Sequence, residues 1–129
     1  SGSPMYIKLY EQVAEDTSER IRSNEVRAIE HSIDLMKRAR ESNMLARDVV
    51  EAVFFLNRLW CVLLEDLASR ENALSEELRA KLISIGIWML RAAEDIRQNK
   101  LRNFDSLITI SQTIALGLKQ KNVDTLEKK

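Results

Sequence analysis

The stretch from Val49 to Leu67, VVEAVFFLNRLWCVLLEDL, constrains the fold more than any other part of the chain. Leu45, Val49, Ala52, Val53, Leu56, Leu59, Trp60, Leu63, Leu64 and Leu67 recur at three- and four-residue spacing. That spacing brings side chains onto one side of an α-helix. No glycine or proline interrupts the run. A helix from about Met44 to Ala68 would be roughly 37 Å long, so every other element can lean on it. The far side of this helix carries a second apolar strip, Val50, Phe54 and Cys61, beside Glu51, Arg58 and Glu65. Arg58 has no acidic residue three or four positions away, so no ion pair within its own helix is open to it. Two readings of the strip stand: burial under the N-terminal segment, or an exposed patch that receives a partner.

A length of 129 residues sets one domain, and 45% apolar residues are enough for a real core. Three glycines and one proline are too few for the turns of a many-stranded fold, so the expected class is all-α, a single helical bundle of about five helices around the long central one. Twenty basic residues balance twenty acidic ones, which argues against a dedicated nucleic-acid binder with its basic stripe. Cys61 is the sole cysteine, so no intrachain disulfide can form and a reducing compartment is expected. No run reaches the roughly 18 apolar residues of a membrane span. Only Lys8 precedes the first acids, so no secretion signal is expected. Ser1 to Pro4 reads as an expression scar, with the bundle domain over 5–119 and a polar C-terminal tail over 120–129.

Tyr6 to about Thr17 can form a short helix with Leu9, Tyr10, Val13 and Thr17 on one side. Such a helix is marginal alone and must dock, and the Val50/Phe54/Cys61 strip is one candidate seat. The periodicity predicts further helices near 23–41, 44–68, 75–98 and 104–118. Ser23 can cap the second, whose buried arc is Val26, Ala28, Ile29, Ile33, Leu35, Met36 and Ala39, with His31 on the solvated side. Ser42-Asn43 can cap the central helix. Ser75 can cap the fourth, with Glu76 and Glu77 at its positive end. That helix is apolar over most of its circumference, from Leu78 to Ile96, and should be buried on more than one side. Trp88 falls beside its narrow polar strip of Lys81, Ser84, Arg91 and Asp95. Gly86 costs helix stability and is expected to permit close helix packing. Asn103 can cap the last helix, whose buried face is Leu107, Ile108, Ile110, Ile114, Ala115 and Leu118, with Leu116 pointing out. The core is expected to join Leu56, Trp60, Leu63, Leu82, Ile85, Met89, Leu107 and Ile114.

Catalytic candidates are few. One histidine, one cysteine and no GxSxG, HExxH or phosphate-binding loop leave little to work with, and no enzyme is expected. A di-iron bundle needs Glu-x-x-His on two helices, and a zinc site needs more His and Cys than the chain has, so neither metal nor cofactor is expected.

Three ordered blocks resemble the FlaF family of flagellar biosynthesis regulators. The first is Asn57-Arg58-Leu59-Trp60 followed by Asp66-Leu67. The second is Asn72-Ala73-Leu74-Ser75-Glu76-Glu77-Leu78-Arg79 leading into Ile85-Gly86-Ile87-Trp88. The third is Asp105-Ser106-Leu107-Ile108, then Ile110 and Ile114-Ala115-Leu116-Gly117-Leu118. Tyr10 to Thr17 matches more weakly. The chain departs from the family at Ser75, where a proline is usual, at Ser111-Gln112, where Asn-Arg is frequent, and at Arg22-Ser23-Asn24-Glu25, where Ser-Pro-Arg-Glu is common.

The resemblance implies a small cytoplasmic factor that binds flagellin, aids its secretion and acts opposite the regulator FlbT, which is a further candidate partner. A chaperone would cover an amphipathic flagellin helix in an apolar groove. Trp88, Phe54, Phe55 and Leu116 would be its apolar contacts and Arg58 and Arg91 its polar anchors, although Trp88 could instead pack on a terminal helix. The alternative is a post-transcriptional regulator of flagellin mRNA translation, acting with or against FlbT. Its basic set would be Arg20, Arg22, Arg27, Lys37, Arg38 and Arg40, but Glu25, Glu30, Asp34 and Glu41 interleave with them. Direct nucleic-acid contact and membrane contact are not expected.

Overall fold

A computed structural model describes residues 24–69 and 72–127, with side chains described as far as Gln120. Four helices are present among them: α1 over residues 24–41, α2 over Ala46–Ala68, α3 over Glu76–Arg97 and α4 over Asp105–Glu127. There is no strand among the described residues, so the all-α class holds. The count is four rather than five, and the helix expected near 6–18 lies outside the described residues. α4 continues to Glu127, past the expected end near 118. The residues beyond 118 are mostly polar, so an apolar pattern gives no sign of the helix continuing there.

The ends of α1 and α3 are closed by the same device. At the end of α1, the Met44 amide donates to the Ala39 carbonyl at 2.7 Å and the Asn43 amide to Arg40 at 3.1 Å. At the end of α3, the Lys100 amide donates to Asp95 at 2.8 Å and the Asn99 amide to Ile96 at 3.1 Å. Both are Schellman closures, and both place an asparagine in the left-handed region, Asn43 at φ 55° and Asn99 at φ 60°. Asparagine tolerates that region better than other side chains apart from glycine. Ser42-Asn43 therefore closes α1 instead of capping α2. Leu45 stands at the α2 N-cap without a side-chain cap and is exposed, contrary to its place in the expected apolar face. The reason is that the chain leaves helical geometry there, so the three-and-four spacing no longer governs where Leu45 points.

α1 and α2 run antiparallel, with the His31 ring edge-on to Phe55 at 4.7 Å between centroids. α1 and α4 are also antiparallel, since Arg40 pairs with Asp105 and Glu30 with Lys119. One core joins all four helices, through Ile29, Met36, Leu56, Met89, Phe104 and Leu107 among others. Of the eight residues expected there, Leu56, Trp60, Leu63, Met89 and Leu107 are buried, and Ile85 and Ile114 pack half-buried against the cluster. Leu82 is half-buried and outside it. Burial on α3 begins only at Gly86, and Leu78, Ile87 and Trp88 are exposed. The expectation that α3 is buried on more than one side fails at these three positions: its apolar residues outnumber what the neighbouring described helices cover.

Gly86 lets α3 approach α2 closely. A Cβ there would lie 2.7 Å from Trp60 Cε3 and 2.8 Å from Leu64 Cδ2. Leu64 has room to yield because it is half-buried, whereas Trp60 is held in the core. Gly86→Ala should recover about 1 kcal/mol of helix propensity but lose about 1–3 kcal/mol to overpacking, so its melting temperature should fall. A rise would show that the indole moves aside freely. Leu63→Ala, which empties space between core helices, should cost about 2–5 kcal/mol in denaturant titration; an unchanged midpoint would contradict the burial of that face.

Candidate protein-binding surfaces

The α2–α3 turn sets how the candidate residues are presented. Asn72 Nδ2 donates to Asp66 Oδ2 at 3.0 Å, while its Oδ1 accepts from the Leu74 amide at 2.9 Å. Arg79 Nη1 reaches back 3.1 Å to the Ser69 carbonyl, placing a cation at the negative end of α2. Ser75 caps α3 as expected, its Oγ accepting from the Leu78 amide at 3.3 Å. Asp66, Asn72 and Arg79, polar residues of the resemblance blocks, thus tie the start of α3 to the end of α2.

The six proposed contact residues do not form one site. Phe54 and Arg58 share the outer side of α2, where the guanidinium sits 5.8 Å from the Phe54 ring centroid. That is within the range of a cation–π contact and gives Arg58 a local partner that ion-pair spacing rules do not reveal. Phe55 is half-buried against His31. Trp88 and Arg91 lie on the outer side of α3, and Leu116 projects from α4. Phe54 is 61% exposed and Trp88 41%.

Two apolar surfaces result. The first is a cleft of about 380 Å³ between the first half of α2 and the end of α3, lined by Val49, Val50, Val53, Phe54 and Ile96, with Met44 at one end. Arg97 stands at its rim. There its Nε donates to Glu94 Oε2 at 2.8 Å and its Nη2 to Oε1 at 2.5 Å, with Gln98 Nε2 donating to Oε1 at 2.8 Å. The second surface is the outer side of α3, where Ile87, 44% exposed, adjoins Trp88, with Ser84, Arg91 and Asp95 around them. Residue spacing marks Trp88 but not Ile87, which the apolar pattern assigns to the interior. Val62 on α2 is likewise exposed and belongs to neither apolar strip read from the spacing. No helix among the described residues is long and apolar enough to cross a membrane.

The family model described as flagellar protein FlaF matches residues 6–118 of the chain. No curated protein and no solved structure matches it.

The Glu94 carboxyl is lowered from 4.5 to about 2, chiefly by its hydrogen bond from Arg97 and then by that from Gln98. A carboxyl depressed on folding contributes stability above its unfolded value and loses it as pH falls through the folded one. The melting-temperature gap between wild type and Glu94→Gln should therefore be present at neutral pH and close as pH falls from 4.5 to about 2. A gap that is the same at both ends would place the pairing in the unfolded chain as well.

Proposed function

The chain belongs to the FlaF family of flagellar proteins, and we propose that it binds flagellin as a chaperone and regulator of flagellin synthesis and secretion, holding an amphipathic flagellin helix on the outer side of α3. The observation that carries this reading is the pairing of Ile87 and Trp88, both large, apolar and exposed, beside Arg91. A tryptophan with a neighbouring arginine is the combination from which interface hot spots are most often built. Covering a flagellin helix would keep it from polymerising early. The absence of a recognisable catalytic motif fits a role performed by binding alone.

The translational reading has less support. The basic residues of α1 are partly engaged, with Arg40 paired to Asp105, and acids alternate with the rest. An RNA-binding face would need clustered cations with stacking aromatics. The proposal also includes FlbT as a further partner and the cytoplasm as the working compartment. Trp88→Ala should weaken flagellin binding by about 2 kcal/mol or more in calorimetry while leaving helicity and melting temperature nearly intact. Equal binding by wild type and variant removes α3 from the reading. Retention of flagellin transcript, and not flagellin, in a parallel pull-down would replace the chaperone with the translational regulator.

A further inference from the structure

Two features of the outer side of α2 are symmetric about nearly the same point. The first is an apolar seam. Val50, Phe54 and Cys61 are exposed there among the described residues, and half-buried Asn57 lies in line with them. Their intervals of four, three and four suit interlocking with a second helix. The second feature is a pair of opposite charges, Glu51 and Arg58, both exposed along one border of the seam. We propose that two copies of the chain pair through α2, antiparallel, about a twofold axis that passes beside Phe55.

Charge commits the seam to a second copy. Neither Glu51 nor Arg58 makes an ion pair among the described residues. The guanidinium instead lies 5.8 Å from the centroid of the Phe54 ring. Seven residues separate the two charges, so they share a side of the helix but stand roughly 10 Å apart along it, too far to meet. A twofold axis between them sets Glu51 of each copy beside Arg58 of the other. One symmetry operation then makes two ion pairs, as a self-complementary patch allows. The midpoint of the charge pair falls between Phe54 and Phe55, and that of the seam between Phe55 and Leu56. The offset is one residue, roughly 1.5 Å along the axis. In this register Val50 faces Cys61 of the second copy and Phe54 faces its Asn57. The next registers along the seam oppose Glu51 to Glu51 in one direction and Arg58 to Arg58 in the other. A parallel pair brings no opposite charges together, because the positions facing Glu51 and Arg58 would then be Ala46 and Val53. Arg58 keeps its aromatic contact throughout, so pairing adds a carboxylate to a cation already positioned.

In sedimentation equilibrium the full chain should show the mass of two copies. Arg58→Glu sets like charges together at both ends of the interface and should weaken self-association at least about tenfold. The exchange Glu51→Arg/Arg58→Glu should restore it, with circular dichroism confirming that both variants keep their helices. Disulfides test the register. Mild oxidation should join Val50→Cys to Cys61 of the second copy and give a covalent dimer. The wild type should not cross-link, since its two Cys61 thiols lie roughly 17 Å apart along the paired helices. Nor should Val50→Cys/Cys61→Ser. A monomeric mass at high protein concentration overturns the proposal, whatever covers the seam in that monomer. An exchange variant that associates no better than Arg58→Glu overturns it too. So does a wild type that cross-links as fast as Val50→Cys, which would mark a parallel pair. None of these measurements involves flagellin, so they stand or fall separately from the binding reading.

Discussion

The close approach of α3 to the Trp60 indole at Gly86 is the contact on which the rest of the packing depends. Without a side chain at that point, the two long helices can lie near enough for the ring to be enclosed. α1 and α4 then complete the core on the shared side, with Met36 and Phe104 wholly buried. The ion pairs between α1 and α4 are surface pairs, about half exposed, and such pairs contribute about 0–1 kcal/mol. Packing, not charge, holds those helices.

The fold was legible because most of its determinants are local. Three-and-four spacing placed the helices, and Ser75 announced the start of α3 through a hydroxyl that could reach an amide three residues on. What spacing does not reveal has physical causes too. Asn43 and Asn99 look like polar loop residues, and only the backbone shows that each turns left-handed to close the helix before it. Ser32 and Ser111 are buried although polar, because small side chains suit tight helix contacts whatever their hydropathy. The end of α4 is not legible because the fading of an apolar stripe need not be the end of the helix.

The candidate site was less legible, for a geometric reason. Periodicity tells which residues share a helix face but not which faces remain uncovered after four helices have packed. Trp88 stood out because it lies beside a polar strip, and it is exposed. Ile87 did not, because an isoleucine in an apolar helix reads as interior. Arg58 seemed to need a partner elsewhere, yet Phe54, four residues earlier, supplies an aromatic face. Ion-pair spacing does not count aromatic rings as partners.

The spacing along the two uncovered surfaces bears on what can sit there. Val50, Phe54, Asn57 and Cys61 on α2, and Ser84, Trp88, Arg91 and Asp95 on α3, each follow intervals of four, three and four. That is the seam of a coiled coil, and side chains so placed interlock best with another helix crossing at about 20°. No sheet edge is offered among the described residues, so an added strand has nothing to pair with. The seams differ in character. On α2 the apolar residues outnumber the polar one and run into a cleft, which suits an occupant that stays. On α3 a single tryptophan, joined at its edge by Ile87, stands among Ser84, Arg91 and Asp95, which suits a helical partner that arrives and leaves. Polar groups within a seam fix register at some cost in affinity, so Arg91 and Asp95 would select which helix binds and let it be released.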